Sequence, residues 1–265
     1  MLAVQTDPNT ALEVLRRAPL RNVVLLKFLQ ACPGGSRVYQ IVRGSCAATL
    51  LIFDHRFSDF DRETYPQASA SAIISSDHPD LTRELLGFVP QGESLVFKLS
   101  SDADRGVVAE KFVLERRFAF LSYTSAGAIP LDARAKIGTT CAAAPFRLFE
   151  EQGYCAEWLG SLINAGRAFT SVVEEAGKAL AACFAFQVDG AVWEIGGVYT
   201  LPEERGRGLA SRVVHAALAE LERAGRVPRY QVAETNLASI RLAEAVGMTN
   251  YLTLTHYMTV GGGNR

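Results

Sequence analysis

Residues 198–210 contain the residue types best suited to holding a phosphate. They read Val-Tyr-Thr-Leu-Pro-Glu-Glu-Arg-Gly-Arg-Gly-Leu-Ala and run from an apolar stretch into an amphipathic pattern. A glycine-bearing turn before a helix presents unpaired backbone N–H groups at the positive end of the helix dipole, where an anion is stabilised. Gly206 and Gly208 would let a phosphate approach closely, because they carry no Cβ atom. The segment therefore predicts a phosphate-binding turn.

Two common phosphate-binding motifs fit this turn poorly. No segment matches the P-loop pattern Gly-x-x-x-x-Gly-Lys-Ser/Thr. Gly206-x-Gly208-x-x-Ser211 partly matches the dinucleotide pattern, with Glu234 as its ribose acid. The third glycine is missing, however, and too little chain follows to complete a doubly wound sheet. A further alternative is a turn before a helix that binds no ligand.

The second half of the chain alternates strand and helix patterns. Its expected strands lie at 146–149, 169–173, 179–186, 192–201, 230–233 and 251–258. Its expected helices lie at 150–164, 209–224 and 236–246. Tyr154 belongs to the apolar stripe of the first of these helices. Asn236 is expected to cap the last helix, and Gly225 and Gly247 are expected to end the two later ones. This order predicts an α+β fold with helices on the faces of a sheet.

The first half can be divided in a similar way. Helical spacing covers 9–30, where Pro19 is expected to break the run. Strands are expected at 36–42, 47–53, 72–74, 93–99 and 117–123, and helices at 80–88 and 103–112. Residues 54–70 are expected to form a loop, and 124–146 a linker. A single offset places Ala109 on Ala243 and Tyr123 on Tyr257. The shared element order predicts a pseudo-duplicated fold, in which the first copy lacks the phosphate-binding turn.

Two motifs resemble those of the GNAT superfamily of acyl-CoA-dependent N-acyltransferases. Arg205-x-x-Gly208-x-Ala210 resembles its Arg/Gln-x-x-Gly-x-Gly/Ala turn. Residues 236–248 resemble its Asn-x-x-Ala/Ser-x-x-Leu-Tyr-x-x-x-Gly-Phe signature. The resemblance covers about residues 145–258 and leans towards the glycine N-acyltransferase-like branch. It implies a GNAT-like mixed central sheet flanked by helices. Residues 1–130 would form a degenerate GNAT-like domain, and 145–260 the acyl-CoA-binding catalytic domain.

The resemblance also implies an acetyl-CoA (acyl-CoA) site. The residues it assigns to this co-substrate are Val198, Tyr199, Thr200, Arg205, Gly206, Arg207, Gly208, Leu209, Ala210, Asn236 and Ser239. The edge of the strand ending at 198–200 would pair with the pantetheine arm. Amides of 205–210 would hold the diphosphate, with charge added by Arg205 and Arg207. Asn236 and Ser239 would flank the acyl end, and a backbone N–H near Val198 would stabilise the oxyanion.

Catalysis by direct attack of an amine needs a base, because an alkylammonium has a pKa of about 10. Glu194 is the candidate base, since it is the one carboxylate within the apolar strand 192–201. A glutamate facing water is the alternative interpretation, and Glu234 is a second candidate base. Ala243 stands where the family often has the tyrosine that protonates the departing thiolate. Candidate substitutes are Tyr251, His256 and Tyr257, of which Tyr257 is assigned to catalysis together with Glu194.

Composition excludes several other classes of function. The net charge is −1, which disfavours a nucleic-acid partner. No apolar run approaches the roughly 20 residues that cross a bilayer, and no signal peptide is expected. Five scattered cysteines without a CxxC pair fit a reducing, cytoplasmic compartment, and no metal is expected. A homodimer is compatible with the sequence.

These observations converge on one predicted activity and one rival. The predicted protein is an N-acetyltransferase that moves an acetyl group from acetyl-CoA to a primary amine of a small molecule, within a ternary complex. The rival is a non-catalytic acyl-CoA-binding sensor or regulatory protein, which the absence of a tyrosine at position 243 favours.

Overall fold

The computed structural model describes residues 4–31, 34–125, 127, 134–141 and 143–260. Twelve strands occur within these residues: β1 (Val4–Gln5), β2 (Ser36–Arg43), β3 (Cys46–Asp54), β4 (Ala70–Ser76), β5 (Leu95–Leu99), β6 (Leu114–Thr124), β7 (Lys136–Gly138), β8 (Ala168–Glu175), β9 (Lys178–Asp189), β10 (Val192–Thr200), β11 (Val227–Ala233) and β12 (Thr249–Thr259). The α-helices of the same residues are α1 (Pro8–Leu15), α2 (Val23–Ala31), α3 (Asp59–Thr64), α4 (Pro79–Leu85), α5 (Asp102–Ala109), α6 (Ala143–Glu150), α7 (Ala156–Asn164), α8 (Leu209–Arg223) and α9 (Leu237–Ala245).

The chain divides into two compact units that are not continuous halves. The first unit comprises Met1–Phe120 and Leu252–Arg265, and the second comprises Leu121–Tyr251. β6 therefore begins in the first unit and ends in the second, whereas β12 begins in the second unit and ends in the first. The domains predicted at 1–130 and 145–260 differ from these units in their final strand, and their assignment as GNAT domains stays a prediction.

The first unit contains a sheet with the strand order β1-β2-β3-β4-β5-β12. Only β4 and β5 pair in parallel among these strands, and β12 closes the order by antiparallel pairing from Thr255 to Met258. The buried apolar residues of α4 and α5 pack on the sheet, and Phe97 lies in this core. The unit is thus a mixed sheet with its helices packed on a hydrophobic face.

The second unit contains the order β7-β8-β9-β10-β11, with the end of β6 beside β11. Its α8 buries an apolar stripe that includes Val213, Ala217 and Leu221, and this stripe packs with α9 residues on one hydrophobic cluster. A second cluster joins α6 and α7 to Phe184 of β9. Helices therefore cover the sheet with two separate cores, and β10 runs through its middle.

Both units repeat one order of elements. The sequence β-α-α-β-β-β-α-β-α describes β1 to α5, with α3 as an insertion, and also β7 to α9. The strand at the end of the sheet order is β12 in the first unit, where it pairs antiparallel with β5, and β6 in the second. The predicted α+β class, with mixed sheets and flanking helices, is confirmed.

Several predicted elements were wrong. Residues 54–70 contain the helix α3 rather than a plain loop, because Ser58 caps it and accepts a hydrogen bond from the Asp61 N–H. The strand predicted at 146–149 belongs to α6, whose apolar spacing is helical. The helix predicted at 150–164 begins only at Ala156, so Tyr154 lies in a turn. Part of the predicted linker, residues 126, 128–133 and 142, lies outside the described residues, as do Cys32 and the predicted tail 261–265.

Two kinds of feature are absent from the described residues. Within them, no group of three or more His, Cys, Asp or Glu side chains is arranged to hold a metal ion. Over the same part of the chain, no helix has the length and apolar character needed to span a bilayer.

Candidate functional site

The candidate site begins where β10 and β11 stop pairing. The two strands pair in parallel from Val192 opposite Val227 to Ile195 opposite Tyr230. Beyond Ile195, β10 continues to Thr200 and pairs with β9 alone among the described strands. The edge of β10 at 196–200 therefore offers backbone groups that no strand of the described chain uses, as an added extended ligand requires.

A bulge in β10 lies directly after the last parallel pair. The register between β10 and β9 shifts between Gly196 and Tyr199, and Gly197 has a φ of +60°. A Cβ atom on Gly197 would lie 2.3 Å from Cε1 of Phe184, so no other residue fits without displacing that ring. Gln152 Nε2 donates to the Gly197 carbonyl at 3.3 Å. The bulge is thus fixed by packing on one side and by the turn after α6.

The turn that follows β10 leads into an uncapped helix. Pro202–Glu204 form a 3₁₀ turn, and Gly206 and Gly208 have φ angles of +79° and +71°. Gly208 is the N-cap of α8, so no side chain accepts from the first amides of the helix. Nothing lies within 4 Å of a Cβ atom built on either glycine. The glycines are therefore required for their backbone conformation, and close approach of a phosphate stays a prediction.

The charges around the turn are not equally available. Arg205 Nε donates to the Thr200 carbonyl at 3.4 Å, and Arg205 forms no ion pair with a carboxylate of the described residues. Arg207 forms ion pairs with Glu204 and with Glu175, the latter at 3.0 Å. The charge that Arg207 was predicted to add to a phosphate is thus shared with two carboxylates. The backbone amides at the start of α8, which no side chain caps, are the groups of the turn best suited to an anion.

Asn236 and Ser239 lie at the start of α9. The Asn236 side chain accepts from the Ser239 N–H at 3.1 Å, which confirms the predicted cap. The Ser239 hydroxyl bonds to the phenol of Tyr230, the last β11 residue paired with β10. Burial raises the pKa of Tyr230, and the bond from Ser239 opposes that shift. Ser239 is thereby connected to the point where the strands separate.

Glu194 forms an ion pair with Arg229, its neighbour across β10 and β11. The Glu194 side chain is 12% exposed and that of Arg229 is fully buried. Arg229 Nη2 donates to Ser122 Oγ at 3.3 Å, and Nε finds no acceptor in the described chain. The interpretation of Glu194 as a glutamate facing water was wrong. The adjacent guanidinium favours the charged carboxylate, so Glu194 is a weaker base than an unpaired buried glutamate.

The last strand does not bring Tyr257 and Glu194 into one unit. Tyr257 lies in the first unit, pairs with Phe97 and packs against its hydrophobic core. His256 is buried in the same unit, where Tyr65 bonds to its Nδ1 at 2.7 Å. Burial lowers the pKa of His256 to about 2, so the ring is neutral at physiological pH. The catalytic assignment of Tyr257 stays a prediction and receives no support from its position in the fold.

Sequence reasoning missed Tyr154 as a site residue. Its ring packs edge-on against Phe184 with centroids 4.9 Å apart, and the Gly197 amide bonds to its hydroxyl. That hydroxyl also lies 4.0 Å from a Cβ atom built on Gly196. The sequence signal that could have found it is Gln152-Gly153, a turn that ends α6 before Tyr154 and gives Gly153 a φ of +84°.

The region around this site is similar in sequence to a known protein family. Residues 140–248 match the model of the Acetyltransferase (GNAT) family. No curated protein sequence matches the chain.

Solved structures resemble the chain over nearly its whole length. An acetyltransferase of the GNAT family from Colwellia psychrerythraea is 13% identical with a TM-score of 0.61, over 98% of this chain and 99% of that one. A GCN5-related N-acetyltransferase from Sphaerobacter thermophilus is 15% identical with a TM-score of 0.58, over 97% and 94%. A tandem GNAT protein from the clavulanic acid biosynthesis pathway, without AcCoA, is 14% identical with a TM-score of 0.54, over 98% of each chain.

At these identities the likeness concerns the fold alone. It spans both units, and similarity to a tandem GNAT protein fits the repeated element order of the chain. The family match covers α6 to α9, which includes the separated strands and the uncapped helix. Residues 140–248 are therefore the part of this chain that resembles the Acetyltransferase (GNAT) family.

Proposed function

We propose that the protein is an N-acetyltransferase that uses acetyl-CoA to acetylate a primary amine of a small molecule. One observation carries the proposal: the unpaired edge of β10 leads within a few residues to the uncapped start of α8. An extended arm ending in a diphosphate is complementary to this arrangement, because its amides can pair with the strand edge while its phosphates meet the helix amides.

The contacts of acetyl-CoA follow from this arrangement. Backbone groups of Val198, Tyr199 and Thr200 would pair with the pantetheine arm. Amides of 205–210 would hold the diphosphate, supported by the Arg205 guanidinium. Asn236 and Ser239 would flank the acyl end beside the separated strands. The positive φ angles of Gly206 and Gly208 fit this role, since they turn successive amides towards one side of the chain.

The transfer itself would be direct. The amine nitrogen attacks the thioester carbonyl, a C–N bond forms, and the C–S bond breaks to release CoA thiolate. The Val198 N–H would stabilise the oxyanion at the bulge. Glu194 would accept the proton that the amine loses. This transfer becomes easier once the C–N bond forms, because the nitrogen is then more acidic. Alignment of the two substrates in a ternary complex supplies much of the rate.

The first unit would be a degenerate copy without a phosphate site. The turn between β4 and α4 is the counterpart of the phosphate-binding turn in the repeated element order. Its helix is capped by His78, and its Asp77 is ion-paired with Arg21 at 2.5 Å. A capped helix start beside a carboxylate disfavours an anion. A cytoplasmic location and 145–260 as the catalytic domain belong to the same proposal.

Titration calorimetry with acetyl-CoA, followed by thiol release with a panel of primary amines, tests this function. Gly208→Glu should abolish binding while the fold persists in circular dichroism. Gly87→Glu, at an exposed glycine with open space around its Cβ, is the matched control and should bind normally. Binding without turnover on any amine would favour the sensor alternative, which is compatible with an alanine rather than a tyrosine at position 243. No binding by the unaltered protein would refute both.

A further inference from the structure

The proposed transfer leaves a proton donor unassigned. CoA leaves as a thiolate, and position 243, where a tyrosine would supply the proton, is an alanine of α9 that is buried in the core shared with α8. A thiol has a pKa of about 8.5, so protonation of the leaving sulfur assists its departure at neutral pH. A donor for this sulfur should lie near the separated ends of β10 and β11.

Of the four tyrosines of the second unit other than Tyr154, three have hydroxyls bonded elsewhere and one has a hydroxyl that is buried. Tyr123 donates to Glu244 at 3.3 Å, and Tyr199 bonds to Glu151. The Tyr230 ring is buried, with its hydroxyl bonded to Ser239. Tyr251 has a buried hydroxyl beside Arg229. None of these hydroxyls reaches the unpaired backbone of the bulge in the contacts of the described residues.

Tyr154 differs from them in both exposure and position. Its side chain belongs to a residue that is 37% exposed, so a bound substrate can reach the ring. Its hydroxyl meets the Gly197 amide, one residue before the N–H that would hold the oxyanion. Because the hydroxyl accepts from that amide, its own proton remains available for donation.

The position of Tyr154 is also well defined by packing. Phe184 contacts its ring edge-on, and Gln152 of the same turn bonds to the Gly197 carbonyl. Two polar contacts thus join the turn to the bulge, and one aromatic contact joins the turn to β9. A proton donor must be held in this way, because transfer requires hydrogen-bond distance to the leaving atom.

We propose that Tyr154 is the proton donor to the departing CoA thiolate, an assignment that rests on the proposed acetyl transfer. The phenolic O–H bond breaks as the sulfur takes the proton and the C–S electron pair becomes the sulfur lone pair. The phenolate is then reprotonated by the proton that the amine released, passed through Glu194 and solvent. The overall step converts acetyl-CoA and an amine into an amide and CoA thiol.

The electrostatic surroundings suit an acid that stays protonated until the reaction. Burial raises the pKa of the Tyr154 phenol above its ordinary value. The hydrogen bond from Gly197 opposes this shift, whereas the Glu194 carboxylate adds to it. The bond that lowers the pKa is directed at the oxygen that becomes a phenolate, so it stabilises the product of proton transfer.

Two changes at Tyr154 test the assignment, with acetyl-CoA as donor and hydrazine and a panel of primary amines as acceptors. Tyr154→Phe should lower kcat roughly 100-fold, the low end of the gain from proton transfer, with an unchanged Kd for acetyl-CoA. Difluorotyrosine at position 154 should move the alkaline limb of the kcat–pH profile downward by the amount that fluorination lowers a phenol pKa. Tyr123→Phe, which removes a hydroxyl bonded to Glu244, is the control and should leave kcat unchanged.

The remaining outcomes separate this inference from the function on which it rests. Unchanged kcat in Tyr154→Phe would overturn it. A loss of kcat without movement of the alkaline limb, or with an equal loss of acetyl-CoA affinity, would identify a purely structural tyrosine and overturn it too. Failure of the unaltered protein to bind acetyl-CoA would refute the proposed function. Binding without turnover would refute catalysis by any residue.

Discussion

Arg229 is fully buried and directs its Nη1 atom at the carboxylate of Glu194, which is itself only 12% exposed. Breaking such a pair leaves an uncompensated charge in the interior. Arg229→Met should therefore lower the free energy of unfolding by about 3–5 kcal/mol, measured by urea denaturation. Arg223→Met removes an exposed partner of Glu220 and should leave stability unchanged. A loss in the Arg229 variant no larger than in this control would contradict the prediction.

Replacement by alanine should have opposite effects on stability at Gly208 and at Gly106. Neither has an atom within 4 Å of a built Cβ, but Gly208 has a φ of +71° and Gly106 lies within α5. Gly208→Ala should destabilise the protein by about 1–2 kcal/mol through backbone strain. Gly106→Ala should stabilise it by about 0.5–1 kcal/mol through helix propensity. Thermal and urea unfolding measure both changes in stability. Equal effects of the two substitutions would show that the positive φ angle is not what requires glycine at position 208.

Glu175 forms an ion pair with the Arg207 guanidinium at 3.0 Å. Glu175→Gln should release part of that charge and tighten acetyl-CoA binding by about two- to threefold, in line with the small energies of exposed pairs. Calorimetry at low and high salt measures the gain, which should shrink as salt screens it. Weaker binding by the variant would show that Glu175 positions Arg207 for the phosphate rather than competing for it.

His256 should make the protein sensitive to acid. Its folded-state pKa of about 2 lies below its ordinary value of 6.5, so the unfolded chain binds a proton that the folded chain refuses. Stability should therefore fall as pH drops below about 6.5, by about 1.4 kcal/mol per pH unit from this group. His256→Gln keeps an acceptor for Tyr65 and cannot titrate. Urea unfolding at mildly acidic and neutral pH should show a shallower loss in this variant, and parallel slopes would contradict the prediction.

Local patterns predicted the elements that depend on neighbouring residues. The break at Pro19 separates α1 from α2, Pro79 begins α4, and Asn236 caps α9 as expected. These features follow from backbone sterics and from hydrogen bonds within one turn. The glycine-bearing turn before α8 could be recognised for the same reason, since its glycines and the helix start adjoin one another in the chain, and its binding of a phosphate stays a prediction.

Features that depend on distant residues were missed. The hydrophobic spacing around Tyr154 is helical and predicted a helix there. In the structure Tyr154 instead lies in a turn, where its ring packs on Phe184. The ion pair of Glu194 was not predicted, because its partner Arg229 lies 35 residues further along the sequence. The ion pair of Lys98 with Asp61, both buried, was equally invisible, since no spacing rule relates residues on β5 and α3. Long-range pairing decides these positions, and a single sequence contains no local signal for it.

The path of β12 affects how the protein is made. The Thr259 hydroxyl bonds to the Leu95 backbone in the first unit. Apart from Leu252–Arg265, all residues of that unit lie before position 121. A nascent chain leaving the ribosome can form β1 to β5 early, yet their sheet gains its outermost partner only when the last strand has emerged. The first unit is therefore completed only after the second has been synthesised, and until then the edge of β5 is open to chaperones and to aggregation.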